Sequence, residues 1–188
     1  MTTLSHYVNM DVRPDGDFPS SQLMGALYVR LHRALVAHGA GDIGVCFPAH
    51  NEHWLGNRMR LHGSAEALGK LMGVDWLQGM RDHLDLTPVS PVPDQMGYRQ
   101  VKRVQPQSSP ERLRRRLMLR HKLTAEEAAE RIPDTVAQLV ALPSVFVRSS
   151  STGQSFRLFV CHGPLTPEPK EGGFSTYGLS LGGAVPWF

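Results

Sequence analysis

The sequence predicts an α+β protein in two parts, and three observations predict it. Residues 1–95 switch between strand-like and helix-like periodicity in the order β-α-β-β-α-β. Residues 87–94, Thr87-Pro88-Val89-Ser90-Pro91-Val92-Pro93-Asp94, hold three prolines in six positions and predict an extended linker. Charge is also uneven: residues 1–95 carry seven basic and ten acidic side chains, residues 96–188 thirteen and seven. An acidic part followed by a basic one suggests that the second half binds a polyanion.

The first part reads in order. Ser5 to Val12 predicts a strand. Phe18-Pro19-Ser20-Ser21 opens a helix that runs to about His38 and stops at Gly39. Short strands are expected at Ile43 to Phe47 and Arg58 to His62, a second helix at Ala65 to Met72, and a helix or turn at Trp76 to His83. Leu84 to Leu86 supplies the last strand. This order is that of a ferredoxin-like (RRM-like) domain, a common RNA-binding scaffold.

The second part is less regular. Tyr98 to Val104 is extended, so alternate side chains share a face and Arg103 and Gln105 point the same way. Ser109-Pro110-Glu111 is a helix start, with a Ser cap, Pro at the first helical position and an acid in the first turn. Thr124 and Glu127 have capping-box spacing for a helix to Arg131. Strands are expected at Ser144 to Arg148 and Phe156 to Val160, before a tail from Gly172 to Phe188 rich in glycine and aromatic residues.

Within that part, Glu111 to Lys122 holds six Lys or Arg against one Glu. At about 100° per residue, Leu113 and Leu117 share one face, while Arg112, Arg115, Arg116 and Arg120 fall on the opposite arc and Arg114 points elsewhere. Like charges three and four residues apart repel. An unpartnered stripe about 12 Å long therefore suits a nucleic-acid groove better than a solvated surface.

Composition narrows the chemistry. No run of about 18 apolar residues exists to span a membrane, and Met1 to Met10 lacks a basic region followed by an apolar stretch. Cys46 and Cys161 are the only cysteines; far apart and in no metal-ligand motif, they are expected to be reduced thiols of a cytoplasmic protein. No carboxylate pair or His-rich cluster offers a metal site, which disfavours two-metal nuclease chemistry, and no cofactor is expected. His32 lies roughly 125° from the centre of the buried arc of its helix, at the edge of the apolar stripe or outside it. Arg148 to Phe156 is a strand end running into a polar turn whose hydroxyls suit a ribose or phosphate, as they suit a plain turn. Phe156 is placed to stack on a base or to sit in the core, and Tyr177 lies in the tail.

The chain resembles the type I-F CRISPR repeat-processing endoribonucleases over essentially its full length. The resemblance rests on Arg13-Pro14 with Phe18-Pro19, Leu31-His32-Arg33-Ala34-Leu35-Val36, Tyr98-Arg99-Gln100-Val101 and Pro110 to Met118. It continues in Ser151-Thr152-Gly153-Gln154 with Phe156-Arg157-Leu158-Phe159, and in Tyr177-Gly178-Leu179-Ser180 with Pro186-Trp187-Phe188. Taken together these stretches are specific to that family.

The resemblance implies a ferredoxin-like domain over 1–95 carrying the catalytic histidine, and a hairpin-binding domain over 96–188 carrying the arginine helix. It implies cleavage of CRISPR precursor transcripts within each repeat, with the product hairpin retained inside a multi-subunit surveillance complex. By motif, His32 matches the catalytic histidine, Ser149 the serine that holds the attacking ribose, and Tyr177 the tyrosine that positions the histidine. Arg103 and Gln105 match the groove-reading pair, and Phe156 the ring that stacks on the closing base pair. Ser108, Arg112, Arg115, Arg116, Arg120, His121, Ser151, Thr152 and Gln154 are the further RNA contacts it implies. Three consecutive serines leave both Ser149 and Ser150 in reach of the ribose role, and Leu119 departs from the family where relatives can be basic. The chemistry implied is attack by the RNA's own 2′-hydroxyl with His32 as general base, giving a 2′,3′-cyclic phosphate and a 5′-hydroxyl without a metal. Two rivals stand beside it: a non-catalytic hairpin-binding subunit, and a DNA-binding regulator whose basic helix enters a duplex.

Overall fold

The computed structural model describes residues 4–94, 97–105, 110–132, 142–148 and 153–188, with the backbone alone for 110–112. Strand β1 (His6–Val12) buries Val8, Met10 and Val12 on one face and turns Tyr7, Asn9 and Asp11 to the other, the alternation a pleated strand imposes. Helix α1 (Ser20–His38) follows, capped at its end by the Gly39 N–H on the Leu35 carbonyl. Strands β2 (Gly44–Cys46) and β3 (Arg58–Gly63), helix α2 (Ala65–Met72), a 3-10 turn at Arg81–His83 and strand β4 (Leu84–Leu86) complete the series. Ser64 caps α2 by accepting from the Ala67 N–H.

The sheet order is β2-β3-β1-β4, every neighbour antiparallel. Both α1 and α2 pack on one face, over a core that includes Met10, Leu27, Leu31, Met59, Leu61 and Leu68. The proline stretch is extended, but it is not a free linker. Ser90–Pro91 forms β5 on the edge of β1, and the Val92 N–H reaches the Ser5 carbonyl. Proline is tolerated at such an edge because it lacks only the outward N–H.

The expected strand from Tyr98 to Val104 divides at Gln100. Strand β6 (Gly97–Arg99) pairs with the last strand, Val185–Trp187, while β7 (Val101–Val104) joins a different sheet. That sheet runs β7-β9-β8, where β8 is Ser144–Arg148 and β9 is Ser155–His162; the last strand is β10. Gly25 of α1 lets β8 approach closely, since a side chain there would strike the Phe146 carbonyl. One helix thus packs on two sheets. The chain has two compact units, Met1–Val104 with Leu142–Phe188, and Gln105–Ala141. A cut at residue 95 by composition passes through the first of these.

In the second unit, α3 (Pro110–His121) packs on α4 (Ala125–Arg131). Leu113 and Leu117 are half-buried, Ala128 is fully buried, and Lys122 ends α3 with a φ of 52°. The capping box is formed: the Thr124 hydroxyl accepts from the Glu127 N–H, and the Glu127 carboxylate from the Thr124 N–H.

Candidate active site

His32 sits on α1 one turn beyond Tyr28, so both side chains rise from the same face. Its ring is half-buried because the tail folds over it. The turn at Ser175 to Gly178 is closed by the Gly178 N–H on the Ser175 carbonyl, and the Ser175 hydroxyl accepts from the N–H groups of Tyr177 and Leu179. Gly178 has a φ of 69°, and a side chain there would collide with Val45. Glycine is therefore required both by the left-handed backbone and by the packing on β2. The Val45 N–H donates to the Gly178 carbonyl at 2.8 Å, which fixes the turn to the sheet edge.

The turn presents two groups to the histidine. The Tyr177 ring stacks on the His32 ring, centroids 3.8 Å apart and planes 3° from parallel. The Thr176 carbonyl lies 2.9 Å from His32 Nδ1. A carbonyl oxygen can only accept, so the neutral ring carries its proton on Nδ1 and leaves the Nε2 lone pair open. In that tautomer Nε2 is the nitrogen able to accept a proton.

Arg103 of β7 also reaches over the Tyr177 ring, its guanidinium carbon 5.5 Å from the centroid, and stands equally close to the Phe156 ring of β9. Arg103 is opposite Val160 and Phe156 opposite Val147, which puts both on one face of the β7-β9-β8 sheet. The order is therefore histidine, tyrosine, arginine, phenylalanine: a base, two aromatic rings and a planar cation in contact. Such a surface suits a nucleotide, whose base stacks on rings and whose phosphate attracts the cation.

Of the residues expected at the site, His32, Tyr177, Arg103 and Phe156 are brought together. Gln154 is exposed just before β9, and Gln105 is exposed just after β7 and belongs to the second unit. There, Arg115, Arg116, Arg120 and His121 are exposed on α3, and among the described residues no carboxylate pairs with the three arginines. Arg114 points elsewhere, as the helical wheel expects, and donates from Nε to the Ile132 carbonyl at 2.8 Å. Ser108, Ser149, Ser150, Ser151 and Thr152 lie outside the described residues, as does the side chain of Arg112. Sequence reasoning missed Tyr28, Ser175 and the Thr176 carbonyl. Tyr28 has a legible signal, its spacing of four from His32, but reads as an ordinary core aromatic; the other two act through a turn that periodicity does not reveal.

Among the described residues no group of His, Cys, Asp and Glu is placed to hold a metal ion, and no helix is long and apolar enough to cross a membrane. Compared with known proteins, residues 7–188 match the family described as CRISPR-associated protein (Cas_Csy4). A protein of Pseudomonas aeruginosa (strain UCBPP-PA14) named CRISPR-associated endonuclease Cas6/Csy4 is 55% identical over 187 residues, covering 98% of this chain and 100% of its own. One of the same name from Escherichia coli (strain UTI89 / UPEC) is 46% identical over 185 residues, with the same coverage of both chains.

Proposed function

Because the chain belongs to the CRISPR-associated Cas_Csy4 family, we propose that it is a metal-independent endoribonuclease that cuts CRISPR precursor transcripts at the base of the repeat hairpin. The observation that carries this reading is the His32 ring, stacked on Tyr177 and bonded through Nδ1 to the Thr176 carbonyl. In the proposed step, Nε2 takes the proton of the 2′-hydroxyl next to the scissile phosphate. The freed oxygen bonds to phosphorus as the bond to the 5′-oxygen breaks, the departing oxygen takes up a proton from water, and the products are a 2′,3′-cyclic phosphate and a 5′-hydroxyl. General-base assistance of this kind contributes about 10²–10⁴-fold.

The remaining assignments belong to the same reading. Ser149 holds the attacking ribose, and Phe156 stacks on the closing base pair. Arg103 and Gln105 read base edges, as a guanidinium suits guanine and an amide suits adenine. Ser108, Arg112, Arg115, Arg116, Arg120, His121, Ser151, Thr152 and Gln154 grip the hairpin. This charge-driven hold keeps the product bound, within a complex of other type I-F subunits in the cytoplasm. The strand order β2-β3-β1-β4 with antiparallel neighbours supports a ferredoxin-like description of the part that bears His32. On this reading the histidine works from residues 1–95 and the hairpin is gripped from 96–188.

The test is to incubate the protein with end-labelled repeat RNA, with and without EDTA, and to identify the product termini. A cyclic phosphate and a 5′-hydroxyl, formed equally with and without EDTA, are expected. A 5′-phosphate, or loss of cutting in EDTA, would overturn the reading; bound but uncut RNA would leave a hairpin-binding subunit in its place.

A further inference from the structure

Two successive carbonyls of the tail turn are taken by two side chains one helical turn apart on α1. His32 Nδ1 bonds the Thr176 carbonyl at 2.9 Å, and the Tyr28 hydroxyl donates to the Tyr177 carbonyl at 2.9 Å. From this geometry we infer that Tyr28 is a positioning residue for the reaction, its hydroxyl fixing the turn so that the Thr176 carbonyl holds His32 in the Nδ1-protonated form. The inference rests on the reading of His32 as the general base.

Three features support it. Tyr28 is fully buried, its ring edge-on to Phe47 with centroids 5.6 Å apart. The hydroxyl therefore has a fixed origin in the core and cannot follow the turn if the turn moves. Burial, helped by Tyr177, pushes the Tyr28 phenol well above its ordinary range, so the group remains a donor at any working pH. Finally, the turn is held from several sides: the Tyr28 hydroxyl on one carbonyl, the Ser175 hydroxyl on two N–H groups, and the Val45 N–H on the Gly178 carbonyl. Because Tyr28 and His32 share one rigid helix, the base and the anchor of its partner move as one piece. Removing the hydroxyl leaves the Tyr177 carbonyl without that donor and lets the turn slide against α1. A displacement of the Thr176 carbonyl then releases the Nδ1 proton and mixes the two tautomers.

Tyr28→Phe is the direct test, since it keeps the ring and removes only the donor. Long-range proton–nitrogen spectra of the ¹⁵N-labelled protein, with the His32 signals identified by their loss in His32→Ala, report the tautomer without any RNA. The wild type is expected to show the Nδ1–H pattern when neutral, and Tyr28→Phe a mixture. Single-turnover cutting is expected to fall by roughly tenfold to a hundredfold, the scale of a small misplacement at a reacting centre, with hairpin affinity unchanged. If Tyr28→Phe does not fold, Ser175→Ala frees the same turn from its other side and is expected to give the same tautomer mixture. Wild-type rate and tautomer in the folded variant would overturn the inference. So would a rate loss matched by equal loss of hairpin binding with the tautomer intact. If the wild type itself does not cut, the proposed function fails, and the spectra still decide whether Tyr28 sets the tautomer.

Discussion

The rings of His32 and Tyr177 are parallel to within 3° at 3.8 Å, and only the face of the tyrosine is engaged with the histidine. The stacking depends on the ring rather than on the phenol. A ring–ring contact contributes about 0.5–1.5 kcal/mol beyond the buried area. Tyr177→Phe is therefore expected to cut at close to the wild-type rate, whereas Tyr177→Ala loses roughly tenfold or more through misplacement of His32. Single-turnover rates of the two variants check this. Equal loss in both would place the role on the hydroxyl instead.

Arg103 is shared between two rings, Phe156 and Tyr177, at 5.5 Å from each. Lysine keeps the charge but not the planar fork that bonds a guanine edge twice. Arg103→Lys is expected to retain most of its affinity for the hairpin while losing about 1–3 kcal/mol of discrimination at one base pair. Competition binding with hairpins altered one pair at a time measures it. Unchanged discrimination at every pair would remove Arg103 from readout.

Arg115 and Arg116 are exposed on α3, without a carboxylate partner among the described residues. If they meet phosphates, the double replacement by Ala should flatten the salt dependence of hairpin binding. The expected change is about 0.7–0.9 in log–log slope for each phosphate that is no longer neutralised. A salt titration with an unaltered slope would show that these side chains meet no phosphate.

Much of this was legible in the sequence where one local rule decides. The α1 boundaries, the Thr124 capping box and the division of α3 into an apolar face and a basic arc follow from periodicity and capping alone. The position of His32 off the buried arc was also visible. What covers it was not, because the cover comes from 144 residues further along the chain. For the same reason the split at Gln100 was hidden. Val101 to Val104 and Gly97 to Arg99 read as one extended run, and only their pairing with β9 and β10 separates them. The prolines around residue 90 gave the extended conformation but not the edge of β1 that receives them.

His62 gives a prediction about stability. It is fully buried beside Cys46, whose sulfur lies 3.4 Å from Nε2; burial, with the Arg60 charge adding to it, holds the imidazole down at about 3. An unfolded histidine titrates near 6.5. The unfolded chain thus takes up a proton that the native protein refuses, and stability is complete above about 6.5 and lost as pH falls toward 3. His62→Gln should reduce the slope of unfolding free energy against pH in that window by about 1.4 kcal/mol per unit. His162, also held near 3 by burial, leaves part of the slope in place. Denaturant titrations at a series of pH values measure it, and an unchanged slope would contradict it.

On the proposed function, His32 acts on the 2′-hydroxyl of the RNA and does little to hold it. Single-turnover cleavage by the wild type and by His32→Ala, on repeat RNA and on its analogue with a 2′-deoxy scissile nucleotide, tests it in one experiment when affinity is measured in parallel. The expected result is cutting by the wild type on the natural RNA alone, with all four combinations bound nearly equally, because a neutral base adds little to charge-driven binding. Robust cutting by His32→Ala, or of the deoxy analogue by the wild type, would contradict it.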